Sequence, residues 1–332
     1  MIIMARKYLK KGKKESFGQK IVNFLLTIVL ACAISSQMCT AANNNLRLAQ
    51  ISDAHFSSFE ENTSYKMLKN SAAILDDVIF QLNSSGPYDF VIFTGDLINK
   101  PQESELEKFL THVKKVNYPW YAINGNHDIA VGGTLTKTKF KKMVNSENRN
   151  MHGESPYYAF TPKKGFRVIC LDSIIDSKIT TNGEIPKAEI EWLKEELDNH
   201  TKDVIVICTH VPIDEPFSSA NHKMINEYEL KSLLKSYNNP IIVLQGHYHC
   251  TRARQNGNII YISSPSLVTY PNAYRVVNIN SNKQRTFVDV FLKETKLKDV
   301  QSRAKLRVLG TERLYGQEED RNTTFEIKKD KE

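Results

Sequence analysis

Five short clusters of metal-binding side chains occur along this chain in a fixed order, and each stands at or just after the end of an apolar run. They are Asp53-Ala54-His55, Gly95-Asp96, Gly125-Asn126-His127-Asp128, Thr209-His210 and Gly246-His247-Tyr248-His249. The runs before them, at 46–51, 90–93, 118–123, 204–208 and 241–244, are short and rich in β-branched residues, with a further one at 166–171. They read as buried strands. A chain that delivers carboxylate, imidazole and amide groups to one strand end after another must bring those ends together for the groups to act in concert.

Helical periodicity fills the gaps. Leu68, Ala72, Leu75, Ile79 and Leu82 space a helix over 65–82, and 104–116 follows the same logic. Pro186 opens a third at 186–197, with Ile190, Leu193 and Leu197 on one face, and 226–237 is a fourth. From Thr251 the pattern turns to hairpin-like alternation at 259–262, 274–279 and 286–292. Strand–helix alternation followed by antiparallel strands predicts an α/β body with two sheets and outer helices. No internal repeat or interdomain linker stands out. The charged stretch 296–332 reads either as a docked appendage or as a frayed tail.

The chemistry follows from the donor set. Asp53 and His55 stand two apart at the end of an extended run, which predicts that both point to one face; His247 and His249 repeat the spacing. Asp96 follows a glycine that lets the chain turn sharply, and one carboxylate can bridge two ions. Asn126 adds an amide oxygen and His210 an imidazole. Seven candidate ligands exceed what one ion takes and suit two ions about 3.5–4 Å apart that share Asp96. Such a pair lowers the pKa of a shared water and offsets phosphoryl charge, so the expected reaction is hydroxide attack on a phosphoester. His127 is expected to protonate the leaving alkoxide or to hydrogen-bond a phosphoryl oxygen, with Asp128 orienting or charge-stabilising it.

Taken singly, none of these motifs discriminates. Asp-x-His and Gly-Asp arise by chance, strand-end Asp caps turns, and paired histidines decorate surfaces. Their joint order carries the reading, because Asp53 to Asp96 and Asp96 to Asn126 each leave room for one helix plus one strand. His112, His152, His200 and His222 stand outside the set and are expected at the surface. Lys137, Lys139, Lys141 and Lys142 are expected on a solvated helix face.

With these residues in place, the chain resembles the calcineurin-like metallophosphoesterases over about residues 46–295. It looks most like the bacterial branch that includes class III cyclic-nucleotide phosphodiesterases. The resemblance implies a four-layer α/β/β/α sandwich of two mixed sheets flanked by helices, the metallo-dependent phosphatase fold. It assigns Asp53, His55, Asp96 and His249 to one metal and Asp96, Asn126, His210 and His247 to the other, with His127 catalytic. It also implies two divalent or trivalent ions, Fe or Mn ahead of Zn. Gly95-Asp96-Leu97-Ile98 lacks the tyrosine that purple acid phosphatases place three residues after this Asp. Asp128 stands where the phosphoprotein phosphatase pattern has glutamate, and Thr209 and Val211 flank His210 where many relatives carry a second histidine.

Charge and leader bound the partners. The net charge of +8 resides mostly in residues 1–42, which hold seven Lys or Arg against Glu15 alone. Removing these from totals of 45 and 37 leaves 38 basic and 36 acidic residues, so the body calls for no stable nucleic-acid partner. The leader has a basic stretch, an apolar segment at 21–31 and small residues to Ala42. That segment falls short of the roughly 20 residues of a spanning helix, so the expectation is an export signal, with a lipidated or retained anchor as variants. Membrane contact is then expected only through this segment. Cys170, Cys208 and Cys250 remain as buried thiols. The function predicted is an exported phosphohydrolase taking a small phosphoester, diester or monoester. The competing readings are a catalytically silent metal-stabilised binding module, a cyclic-nucleotide phosphodiesterase and a nuclease.

Overall fold

A computed structural model describes residues 44–129, 131–151 and 153–329; the leader and His152 lie outside them. Among the described residues, no helix is long and apolar enough to cross a membrane. The apolar runs form strands because side chains apolar on both faces suit the middle of a covered sheet. In chain order these are β1 (Asn44–Ile51), β2 (Phe90–Thr94), β3 (Trp120–Ile123), β4 (Tyr158–Lys163), β5 (Phe166–Cys170) and β6 (Val204–Cys208). They continue with β7 (Ile241–Gln245), β8 (Arg252–Asn256), β9 (Ile259–Ser263), β10 (Ala273–Ser281), β11 (Arg285–Glu294) and β12 (Asn322–Lys328).

Two six-stranded mixed sheets result, ordered β12-β11-β10-β1-β2-β3 and β4-β5-β6-β7-β9-β8. Strands β1, β2 and β3 run parallel, as do β5, β6, β7 and β9, while the remaining strands pair antiparallel at the flanks. The sheets meet through Tyr121 stacked on Phe160, ring centroids 3.6 Å apart. Buried Gln50 links them again, donating to Gln245 O at 3.0 Å and to Thr94 Oγ1 at 3.1 Å.

Helices flank the sheets: α1 (Ser71–Ser85), α2 (Glu103–Val113), α3 (Lys137–Glu147), α4 (Lys187–Asn199) and α5 (Glu227–Lys235). The C-terminal part adds α6 (Lys298–Leu306), α7 (Thr311–Tyr315) and α8 (Glu318–Arg321). Helix α1 starts six residues later than periodicity predicts, because Met67 gives its amide to Val268 O at 2.7 Å and Thr63 caps a separate turn at Lys66. That holds Tyr65 and Lys66 in a loop. The lysines of α3 are not uniformly solvated either. Lys141 is 2% exposed with Nζ 3.5 Å from the Tyr158 ring centroid, and Lys137 pairs with Asp172 at 2.7 Å. Residues 298–328 are docked rather than frayed, since β12 pairs along β11 and completes the first sheet.

Candidate metal centre

All five motifs leave the carboxyl ends of parallel strands. Asp53 follows β1, Asp96 follows β2, Asn126 follows β3, His210 follows β6 and His247 follows β7. Open α/β sheets gather their functional groups at this end, and here two sheets contribute to one centre. The pairs Asp53/His55 and His247/His249 do converge, though not by strand alternation. Asp53, His55, Asp96, His247 and His249 all have left-handed backbone, with φ of 51°, 38°, 51°, 69° and 52°. Each such residue costs about 1–3 kcal/mol and persists only where its surroundings hold it. The holding contacts reach between the strand-end loops: Asp53 N donates to Gly95 O, His55 N to Asp96 O, Leu267 N to Asp53 O, and His247 N to Asp53 Oδ2 at 3.0 Å. Gly95 is obligatory on two counts, since its φ is 87° and a β-carbon there would strike the His210 ring.

The candidate ligands fall into two adjoining groups that share one residue. Asp53, His55, Asp96 and His249 offer donor atoms within 4.8 Å of one another, and Asp96, His210 and His247 do the same. In the first group His55 Nε2 lies 2.9 Å from His249 Nε2 and 3.5 Å from Asp96 Oδ2, and His249 Nε2 is 3.2 Å from Asp53 Oδ1. In the second, His210 Nε2 is 3.4 Å from Asp96 Oδ1 and 3.2 Å from Asn126 Oδ1. The two Asp96 oxygens therefore face different groups, as a bridging carboxylate requires.

Two observations test whether a metal fits. Buried His247 Nε2 has no hydrogen-bond partner, and buried Asp53 Oδ1 has only His249 Nε2 within hydrogen-bond distance, at 3.2 Å, which in a buried site marks groups awaiting one. The Nε2 atoms of His55 and His249, 2.9 Å apart, have the spacing of two donors on one ion. Two carboxylates among imidazoles and an amide are a donor set for transition ions rather than for calcium or magnesium. The residues fit.

The supporting partners differ between the groups. His210 Nδ1 donates to Thr94 O at 2.9 Å, which fixes Nε2 toward Asp96 and Asn126. Burial opposes a charge on His210, but Asp96 and Asp53 raise it to about 9. Burial and the charge of His210 push His247 down to about 3. His55 is held well below the ordinary histidine range by burial and by Lys66, whose Nζ lies 3.2 Å from His55 Nδ1. Asp96 stays ionised well below the usual carboxylate range; burial works against this, and His210 and His127 outweigh it.

His127 lies beside the first group, its ring edge-on to His55 at 4.6 Å between centroids. Its expected partner is corrected. His127 Nδ1 donates to Asn99 O at 2.7 Å, not to Asp128. Asp128 is fully buried and accepts three main-chain amides, from Leu97, Ile98 and Gly125 at 3.2, 3.0 and 2.8 Å. It ties the Asp96 loop to the Asn126 loop and is a positioning residue. Lys66 and Asn99, joined at 3.2 Å, are the parts that motif reading missed. His222 reaches the cavity, its ring 5.2 Å from that of His247, whereas His112 and His200 pair with Asp76 and Asp203 elsewhere.

Residues 46–251 match the family profile described as calcineurin-like phosphoesterase. The chain belongs to this family. Members of it cleave phosphoester bonds, so the protein is a metallophosphoesterase, a hydrolase whose Asp and His cluster is placed for metal binding. It is 23% identical over 235 residues, 68% of this chain and 81% of the relative, to a probable cyclic nucleotide phosphodiesterase of Psychrobacter arcticus. It is 26% identical over 222 residues, 66% of this chain and 77% of the relative, to a probable glycerophosphodiester phosphodiesterase of Arcobacter nitrofigilis. A dimetal phosphatase from Danio rerio superposes with a TM-score of 0.56 at 14% identity, over 76% of this chain and 99% of that one; this likeness establishes the fold.

Proposed function

We propose that this metallophosphoesterase is a dinuclear phosphodiesterase acting on small phosphodiesters, and that residues 1–42 direct its export. The observation that carries the dinuclear reading is Asp96, whose two oxygens face two separate donor groups. Asp53, His55, Asp96 and His249 would hold one ion, and Asp96, Asn126, His210 and His247 the other. Two bound ions, Fe or Mn in this reading, supply an activated water and neutralise phosphoryl charge.

The chain's own groups do the rest. Asp53 and Asp96 contribute two negative charges, so a doubly loaded centre keeps net positive charge for an anionic ester. His127 lines the cavity with Nδ1 fixed on Asn99 O and Nε2 facing the site; only in its doubly protonated form would it give the Nε2 proton to the departing alkoxide, and burial works against that form. Diester preference is supported by the relatives named as cyclic-nucleotide and glycerophosphodiester phosphodiesterases. Export is supported by the basic and apolar leader, and it favours scavenging of phosphodiesters outside the cytosol.

Mn-reconstituted protein tested on bis(p-nitrophenyl) phosphate and p-nitrophenyl phosphate decides the matter. Faster hydrolysis of the diester, lost in Asp96→Asn, is the expected result. Absence of turnover with every metal and pH would instead leave a metal-stabilised binding module.

A further inference from the structure

The C-terminal segment lies beyond the family match, which ends at residue 251. It nevertheless reaches the cavity above the candidate metal centre. That cavity, of 260 Å³, has Asp96, Asn126 and His127 on its floor and Phe217, Tyr248 and Leu314 among its walls. Phe217 is 36% exposed and packs edge-on against Tyr248, centroids 4.9 Å apart, and the Arg313 guanidinium lies 5.7 Å from its ring centre. Leu314 belongs to α7, Phe217 to the loop after β6, and Tyr248 stands between His247 and His249. Three distant stretches of chain thus bring apolar groups to one cavity, beside polar Ser219 and His222 and above a polar floor.

The placement of Leu314 is built in. Thr251, two residues after His249, donates its amide to Leu314 O at 2.9 Å. Gly316 has φ of 70°, and a β-carbon there would collide with Thr251 O. Asp320, 5% exposed, accepts the Ala253 amide at 3.2 Å and caps the next turn through Gln317 N at 3.0 Å. Arg275 is fully buried and donates to Ser263 O, Arg252 O and Arg321 O at 3.1, 3.3 and 3.2 Å. A buried guanidinium satisfied by three carbonyls from separate elements fixes their relative position. The segment that carries Leu314 is thereby locked to the strand-end loop that carries His247 and His249.

We propose that Leu314 and Phe217 are specificity-determining residues, and that the C-terminal segment selects phosphoesters whose organic substituent is apolar or aromatic. The inference rests on the dinuclear phosphodiesterase reading, which puts the phosphoryl group over Asp96 and Asn126. From there a substituent on the His247 side meets the face of Phe217, Tyr248 and Leu314. A planar or apolar body removes that surface from water, whereas a methyl or glycerol-sized group leaves it wet.

Binding of phenylphosphonate and methylphosphonate to the metal-loaded full chain, measured by calorimetry, tests the inference without requiring turnover. The unaltered protein should prefer the phenyl compound by about tenfold or more. Leu314→Ala and Phe217→Ala should each reduce that preference severalfold, with metal content by elemental analysis at the unaltered level. The two substitutions lie on separate segments, so misfolding of one does not remove the other. Equal affinity for the two phosphonates, or a preference unchanged in both variants, overturns the inference. Hydrolysis of bis(p-nitrophenyl) phosphate reports separately on the function: a retained phenyl preference without turnover contradicts the phosphodiesterase and leaves the selecting wall standing.

Discussion

The two halves of the candidate centre are built from the same donor types and backed by opposite chemistry. Behind His210 stands a carbonyl, Thr94 O, which accepts the Nδ1 proton and strengthens Nε2 as a donor. Behind His55 stands Lys66, 4% exposed, whose amine faces Nδ1 at 3.2 Å. An imidazole bound to an ion through Nε2 keeps its proton on Nδ1, where Lys66 offers donors of its own. Burial lowers Lys66 from the ordinary lysine range, while Asp96 and Asp53 act to keep it charged. The half around His210 should therefore bind its ion more tightly and the half around His55 more weakly.

The largest expected effect removes the comparison altogether. Asp96→Asn takes a charged oxygen from both halves, so elemental analysis should show both ions lost or weakened and turnover should fall at least about 10³-fold. Next comes His127→Ala, which should lower turnover by about 10²-fold or more while metal content stays the same. A loss of metal in that variant would make His127 a ligand of the weaker half.

The pH dependence of loading separates the halves further. His210 in the metal-free centre is protonated below about 9, and an ion must displace that proton. Affinity at its half should rise with pH up to about 9, by as much as about tenfold per unit. His55 is already unprotonated there and adds no such slope. Titrations with Mn at several pH values check this, and identical slopes for both ions would break the distinction. The smallest effect concerns Lys66→Met, which removes the opposing amine and should tighten the weaker ion by about tenfold, with little change at the other. Weaker binding in that variant would show that Lys66 supports His55 rather than opposing it.

The seven candidate ligands were legible through the joint order of motifs that are individually common, and because buried parallel strands announce themselves as apolar runs. Their local geometry was not. Asp53, His55, His247 and His249 were expected to converge by alternation, and they converge by left-handed turns, with Asp53 and His55 held by main-chain bonds and His247 by its amide on Asp53 Oδ2. Asp128 was misread for a related reason: beside His127 in sequence, its carboxylate turns to the amides of Leu97 and Ile98, some 30 residues away. Lys66 escaped notice because its place depends on where α1 begins, and the contact of Met67 with Val268, distant in sequence, decides that. Leu314 depends on the docking of residues 298–328 through β12, Arg275 and Asp320, which no local periodicity encodes.

Two unlike ion sites sharing one carboxylate form the core of this account, and counting ions during a graded Mn titration of the metal-free full chain addresses it most directly. The account predicts two ions per chain, filling in two resolved steps, with both steps impaired by Asp96→Asn. Saturation at one ion per chain, or two steps left unchanged by that substitution, would contradict it.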